Sequence, residues 1–272
     1  MLFQAALFGL STVIFSHFYL PGNVTETLWW NLMCSGTCLN VILLKSSKAD
    51  TKDEKIQKYL ASLYILSTTM RSLFPRIDVE RICFFDSFLS TTFIGRILAT
   101  VGEMSFSLQV SLILLSLARK LNVKSTLPFI IPPAIGVAQM LCWFGVLTTN
   151  QLFHCFEESI WTICMALVIP LLLKLLGKTK NNAMRYKLVC GAVVILLYVI
   201  YMVFIDVPMY YRRYVENEEL NTEYLSLMEG IKDTMSCKMV TKSYKTWKED
   251  AVWMIGYFIF CPLISVQLIK AI

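Results

Sequence analysis

Eight apolar stretches separated by polar loops run almost the whole length of this chain, over residues 2–20, 28–44, 59–73, 95–117, 127–149, 157–176, 188–209 and 251–269. A helix needs about 20 apolar residues to cross a bilayer. Eight spans would then take up most of the 272 residues and leave no separate soluble domain. Composition agrees: 56% of residues are hydrophobic, only 16% are charged, and mean hydropathy is +0.60. A membrane barrel would show segments of about ten alternating residues, whereas these are longer and continuously apolar. The expected fold is therefore all-α, a polytopic transmembrane helix bundle of about eight spans. Seven is the alternative, because the second and third stretches are short. Residues 1–272 form a single integral membrane domain with outer loops at 74–94 and 211–250.

Basic residues orient such a bundle, since short loops rich in Lys and Arg stay cytoplasmic. With loops assigned alternately, one side holds 14 basic residues and three acids, a balance of +11. The other side and its helix ends hold 11 basic residues and 16 acids, a balance of −5. Both termini are expected in the cytoplasm, in the plasma membrane or an endomembrane. The net charge of +6 is mostly this orientation signal, which anionic inner-leaflet lipid reinforces. Expected partners are membrane lipid and, through apolar helix faces, other membrane subunits; nucleic acid is not expected. No Lys or Arg precedes Lys45 and no A-x-A site follows the first stretch, so it reads as an uncleaved span. Asn23-Val24-Thr25 has the form of a glycosylation acceptor but is squeezed between two spans.

Charges at membrane depth mark where function should sit, because each is costly there and needs a partner. In the fourth stretch Arg96, Thr100, Glu103, Ser107 and Ser111 recur on one helical face. Arg96 and Glu103 stand about 10 Å apart along the axis, which disfavours a direct pair and makes Arg71 the first partner for Glu103. The third stretch contributes Tyr64, Ser67, Thr68 and Arg71. It leads into Arg76-Ile77-Asp78-Val79-Glu80-Arg81, whose interleaved charges and apolar residues suggest a folded turn. Glu157 and Glu158 open the sixth stretch, where acids suit a helix N-terminus. Asp206 lies near the end of the seventh. Arg71, Arg96, Glu103, Glu157, Glu158 and Asp206 are the candidates for a common, outward-opening polar cavity that binds a ligand. The milder face of Asn31, Cys34, Ser35 and Cys38 reads as small-residue helix packing.

Three cysteines, Cys83, Cys155 and Cys237, fall on outer loops, and a disulfide from Cys237 to either of the others is expected. In the long outer loop, Leu220, Tyr224, Leu227, Met228, Ile231 and Met235 share one helical face. An outer-face amphipathic helix follows, placed to cap the cavity, rest on lipid or meet a partner. Pro132-Pro133 should kink or break the fifth span.

No G-x-S-x-G, Walker-type loop or H-E-x-x-H occurs, and the two histidines, His17 and His154, are far apart. No metal site and no cofactor are expected, and no catalytic residue stands out. Three functions remain. The first is binding or transport of a small polar or anionic ligand in a charged cavity in the outer half of the bilayer. The second is a non-catalytic subunit or assembly factor of a membrane complex. The third is a membrane-embedded enzyme acting on a lipid-like substrate.

Overall fold

The computed structural model describes residues 25–236 and 238–271. The expected first span, 2–20, and Cys237 lie outside the described residues. Helices α1 (Thr25–Ser46) and α2 (Lys52–Leu73) come first, followed by strands β1 (Arg76–Ile77) and β2 (Ile82–Cys83). Next are α3 (Thr92–Lys120), α4 (Leu127–Thr148), α5 (Leu152–Lys178) and the long α6 (Asn182–Glu219). A short α7 (Leu227–Thr234), strand β3 (Met239–Val240) and α8 (Tyr244–Leu268) complete the chain.

Five of the described helices, α3, α4, α5, α6 and α8, are long and apolar enough to cross a membrane. The architecture is consistent with a helical membrane bundle and suggests an integral membrane protein. The expected second and third spans do form helices but fall outside these five. The reason for α2 is visible at its start, where Lys52, Asp53, Glu54, Lys55 and Lys58 crowd the first turns. There Thr51 and Glu54 form a reciprocal capping box: Glu54 N donates to Thr51 Oγ1 at 3.2 Å and Thr51 N to Glu54 Oε2 at 3.3 Å.

The chain divides into two units, residues 25–106 with 234–271, and residues 107–233. In the first, α1 packs through Trp29, Met33, Gly36, Thr37 and Asn40. The expected packing face of Asn31, Ser35 and Cys38 is exposed instead, with Cys34 half-buried. The working face is polar where it crosses its neighbours. Thr37 donates to Ser72 Oγ at 3.0 Å, and Asn40 Nδ2 donates to the Ile259 carbonyl at 3.0 Å. Gly36 has no room for a side chain, since a Cβ would stand 2.8 Å from Ile259. The charged loop is indeed folded. β1 pairs antiparallel with β2, and β2 pairs parallel with β3, with Cys83 opposite Val240. Trp29, Phe84 and Trp247 close an aromatic core beneath this small sheet, Trp29 stacked on Trp247 at 5.2 Å.

In the second unit, α4 and α5 form a hairpin that turns through Thr149 in the left-handed conformation, φ 61°. α4 runs through Pro132-Pro133 as one helix, so of the expected kink or break the break is absent. The helix of the expected seventh span continues past residue 209, to Glu219. Pro208 is accommodated by a π-turn at Met202–Asp206, where Val207 N donates to Met202 O. α8 uses the same device before Pro262: Cys261 N donates to Gly256 O across the π-turn Gly256–Phe260. The amphipathic helix expected from Leu220 is confined to α7. Leu220 caps α6, and Asn221 turns the chain at φ 51°. α7 buries its small residues Gly230 and Thr234 and exposes Leu227, Met228 and Ile231.

Candidate functional site

Three arginines and two carboxylates converge within the first unit. Arg71 stands in the last turn of α2, Arg76 on β1, Asp78 in the hairpin turn, and Arg96 and Glu103 on α3. Arg71 lies 3.9 Å from both Asp78 and Glu103. Arg96 lies 3.5 Å from Asp78 and 3.6 Å from Glu103. Arg76 Nε is 3.1 Å from Asp78 Oδ1. All three arginines and Glu103 are buried.

The local structure explains the convergence. Pro75 disfavours helical geometry in Phe74, and α2 stops at Leu73, two residues beyond Arg71. The four-residue turn between β1 and β2 projects Asp78, and Arg81, at φ 56°, donates from Nη1 to the Asp78 carbonyl. Gly95 leaves a gap on α3 that the Arg76 guanidinium fills, since a Cβ there would meet Arg76 Cζ at 1.8 Å. Arg76 Nη1 donates to the Leu89 and Thr91 carbonyls at 3.3 Å. From the π-turn of α8, Tyr257 donates its hydroxyl to Glu103 Oε1 at 2.9 Å. The Arg71 guanidinium lies over the rings of Tyr257 at 5.2 Å and Phe258 at 5.3 Å.

Charge and distance decide what this arrangement can do. Burial pulls the Arg76 guanidinium down to about 10; Asp78 opposes the shift and Arg71 and Arg96 add to it. It therefore stays protonated at neutral pH. Three cations face two anions, leaving a surplus of one positive charge. The contacts of Arg71 and Arg96 with the carboxylates, at 3.5–3.9 Å, exceed the 2.7–2.9 Å of a direct charge-assisted hydrogen bond. Arg76 Nη2 is buried without a hydrogen-bond partner. Moving a charge out of water costs several kcal/mol even after relaxation, so the third guanidinium favours an anion.

Of the expected site residues, Arg71, Arg96 and Glu103 are together. The direct Arg96–Glu103 approach corrects the expectation from axial distance: side chains two turns apart on one face lean toward each other and span the gap. Glu157, Glu158 and Asp206 belong to the second unit. Glu157 faces His154, whose Nδ1 lies 2.8 Å from its Oε2. Glu158 is half-buried. Asp206 is buried and accepts from Tyr201 at 3.4 Å. Cys83 and Cys155 are buried and are not bonded to each other. Cys83 Sγ faces the Ser90 carbonyl at 3.3 Å and Cys155 Sγ the Val207 carbonyl at 3.9 Å, so among the described residues the expected bridge has no counterpart. A depression of about 270 Å³ in the second unit, lined by Ser159, Thr162, Ile163, Val203 and Val207, includes none of the charged candidates.

Sequence reasoning missed Arg76, Asp78 and Tyr257 as members of the cluster. The first two carried a signal, as charges beside Pro75 in a turn already marked as folded. Tyr257, in an apolar helix, carried none. Comparison of the chain with protein families, with curated proteins and with solved structures finds no match.

Proposed function

We propose that this is a multi-pass membrane protein that binds a small anionic ligand at Arg71, Arg76 and Arg96. We place the cluster in the outer half of the bilayer, with both termini cytoplasmic as the charge bias of the loops directs. The observation that carries the reading is the surplus of guanidinium over carboxylate at a buried site. Asp78 and Glu103 hold the arginines apart and charged, and an incoming carboxylate or phosphate oxygen displaces one of these loose contacts. Planar guanidinium groups suit such oxygens because they bind them bidentately. Passage of the bound anion across the bilayer is the fuller form of this function. Calorimetric titration of the protein in lipid nanodiscs with phosphate, sulfate and dicarboxylates tests it. Saturable binding weakened about tenfold or more by Arg96→Gln supports the reading, and absence of binding to every anion in the set refutes it.

A second reading, a subunit of a membrane complex, is favoured by α6. Only 11% of its apolar window is buried within the chain, and Val193, Leu197, Val203, Phe204 and Ile205 stand exposed. Cross-linking in native membranes that captures one defined protein through α6 would support this reading over lipid contact.

A further inference from the structure

We propose that Cys142, His154 and Glu157 hold a single divalent cation of the zinc class at the α4–α5 hairpin. Their ligand atoms lie within 4.8 Å of one another. Cys142 Sγ is 3.9 Å from His154 Nδ1, and Nδ1 is 2.8 Å from Glu157 Oε2. Ligands of a tetrahedral zinc ion, with bonds of about 2.0–2.3 Å, stand about 3.3–3.6 Å apart, so His154 and Glu157 part by roughly half an ångström to admit it. All three residues are buried: Cys142 0%, His154 4% and Glu157 3% exposed.

A buried carboxylate needs a counter-charge. A dication between thiolate, Nδ1 and carboxylate neutralises both anions. Thiolate, imidazole and carboxylate together suit zinc, whereas calcium and magnesium favour all-oxygen sets.

The scaffold fixes the imidazole beforehand. Gly145 lets the ring approach α4, since a Cβ there would stand 3.1 Å from His154 Cδ2. Tyr210 of α6 stacks on its other side, with centroids 5.1 Å apart and planes at 24°. Three protein ligands leave a fourth position for water or a substrate oxygen.

Elemental analysis of the full chain, purified in detergent, loaded with zinc and dialysed, tests this, together with absorption spectra after loading with cobalt. The expected result is one zinc per chain and a thiolate-to-cobalt charge-transfer band. Cys142→Ser should abolish the band and weaken zinc binding at least about tenfold, with helical content and monodispersity unchanged. Cys155→Ser, at the neighbouring thiol, should keep both band and zinc. Wild-type protein that retains no zinc after loading, or a Cys142→Ser protein that retains wild-type band and affinity, overturns the proposal.

Discussion

The guanidinium of Arg76 occupies the space that a side chain at residue 95 would fill, so Arg76 and Gly95 are one packing unit. Gly95→Ala must push the guanidinium off α3 and away from the Leu89 and Thr91 carbonyls. Overpacking of this kind costs about 1–3 kcal/mol. Thermal unfolding should show Gly95→Ala clearly less stable than wild type, and the double variant Gly95→Ala, Arg76→Ala should recover part of the loss. Equal stability of Gly95→Ala and wild type would mean that Arg76 does not lie there.

Glu103→Gln removes a charge and keeps the shape. Arg71 and Arg96 then lose a shared counter-charge, and breaking a buried pair costs about 3–5 kcal/mol. The melting temperature should fall, and Arg71→Gln introduced into Glu103→Gln should partly restore it. Additive losses in the double variant would show that the two residues are not coupled.

Lys270 joins the C-terminal end to the start of α2, through Asp50 and Glu54 at 3.0 Å each. Hydrogen bonds from the Asp50 amide, from Lys270 and from the Thr51 amide hold the Glu54 carboxyl below its ordinary 4.5. A lowered folded-state value makes this contribution present above 4.5 and lost as pH falls through the folded value. Lys270 is raised by Asp50 and Glu54, so its own contribution is full below 10.5 and lost as pH rises through its folded value. Hydrogen exchange at Thr51–Glu54 and Ile269–Ala271 should accelerate together on acidification. Unchanged protection across that range would count against the bridge.

Gly230 seats α7 against the end of α4, where an added Cβ would stand 2.0 Å from the Leu147 carbonyl oxygen. Backbone cannot yield cheaply, so Gly230→Ala should release the segment. Proteolysis between residues 220 and 235 should rise well above wild type while the rest of the chain stays resistant. Unaltered cleavage would show that α7 is not docked through this glycine.

Much of this architecture was legible from apolar length, because a long uncharged stretch has few alternatives to a helix. The outcome was less simple where backbone or side chains adapt locally. A π-turn carries α6 past Pro208 and on to Glu219, beyond the apolar stretch that periodicity marks. Asn221 in the left-handed region cut short the helix that periodicity placed from Leu220, since spacing records a face but not a turn. At the candidate site, helical spacing located Arg71, Arg96 and Glu103. Arg76 and Asp78 entered through the local β1–β2 hairpin, whose strand β2 also pairs with β3, more than 150 residues distant; local pattern marks the turn but does not encode that second pairing. The approach of Cys142 to His154 likewise depends on how tightly the hairpin closes over Gly145.

The most direct test of the anion site is calorimetric titration of wild-type and Glu103→Gln protein in nanodiscs with phosphate and succinate. If Glu103 competes with the ligand for Arg71 and Arg96, removing its charge raises the net positive charge of the cluster. Both proteins should then bind, and Glu103→Gln should bind more tightly, by about tenfold for one added charge-assisted contact. Binding by neither protein, or equal affinity in both, would contradict an anion site built on these arginines.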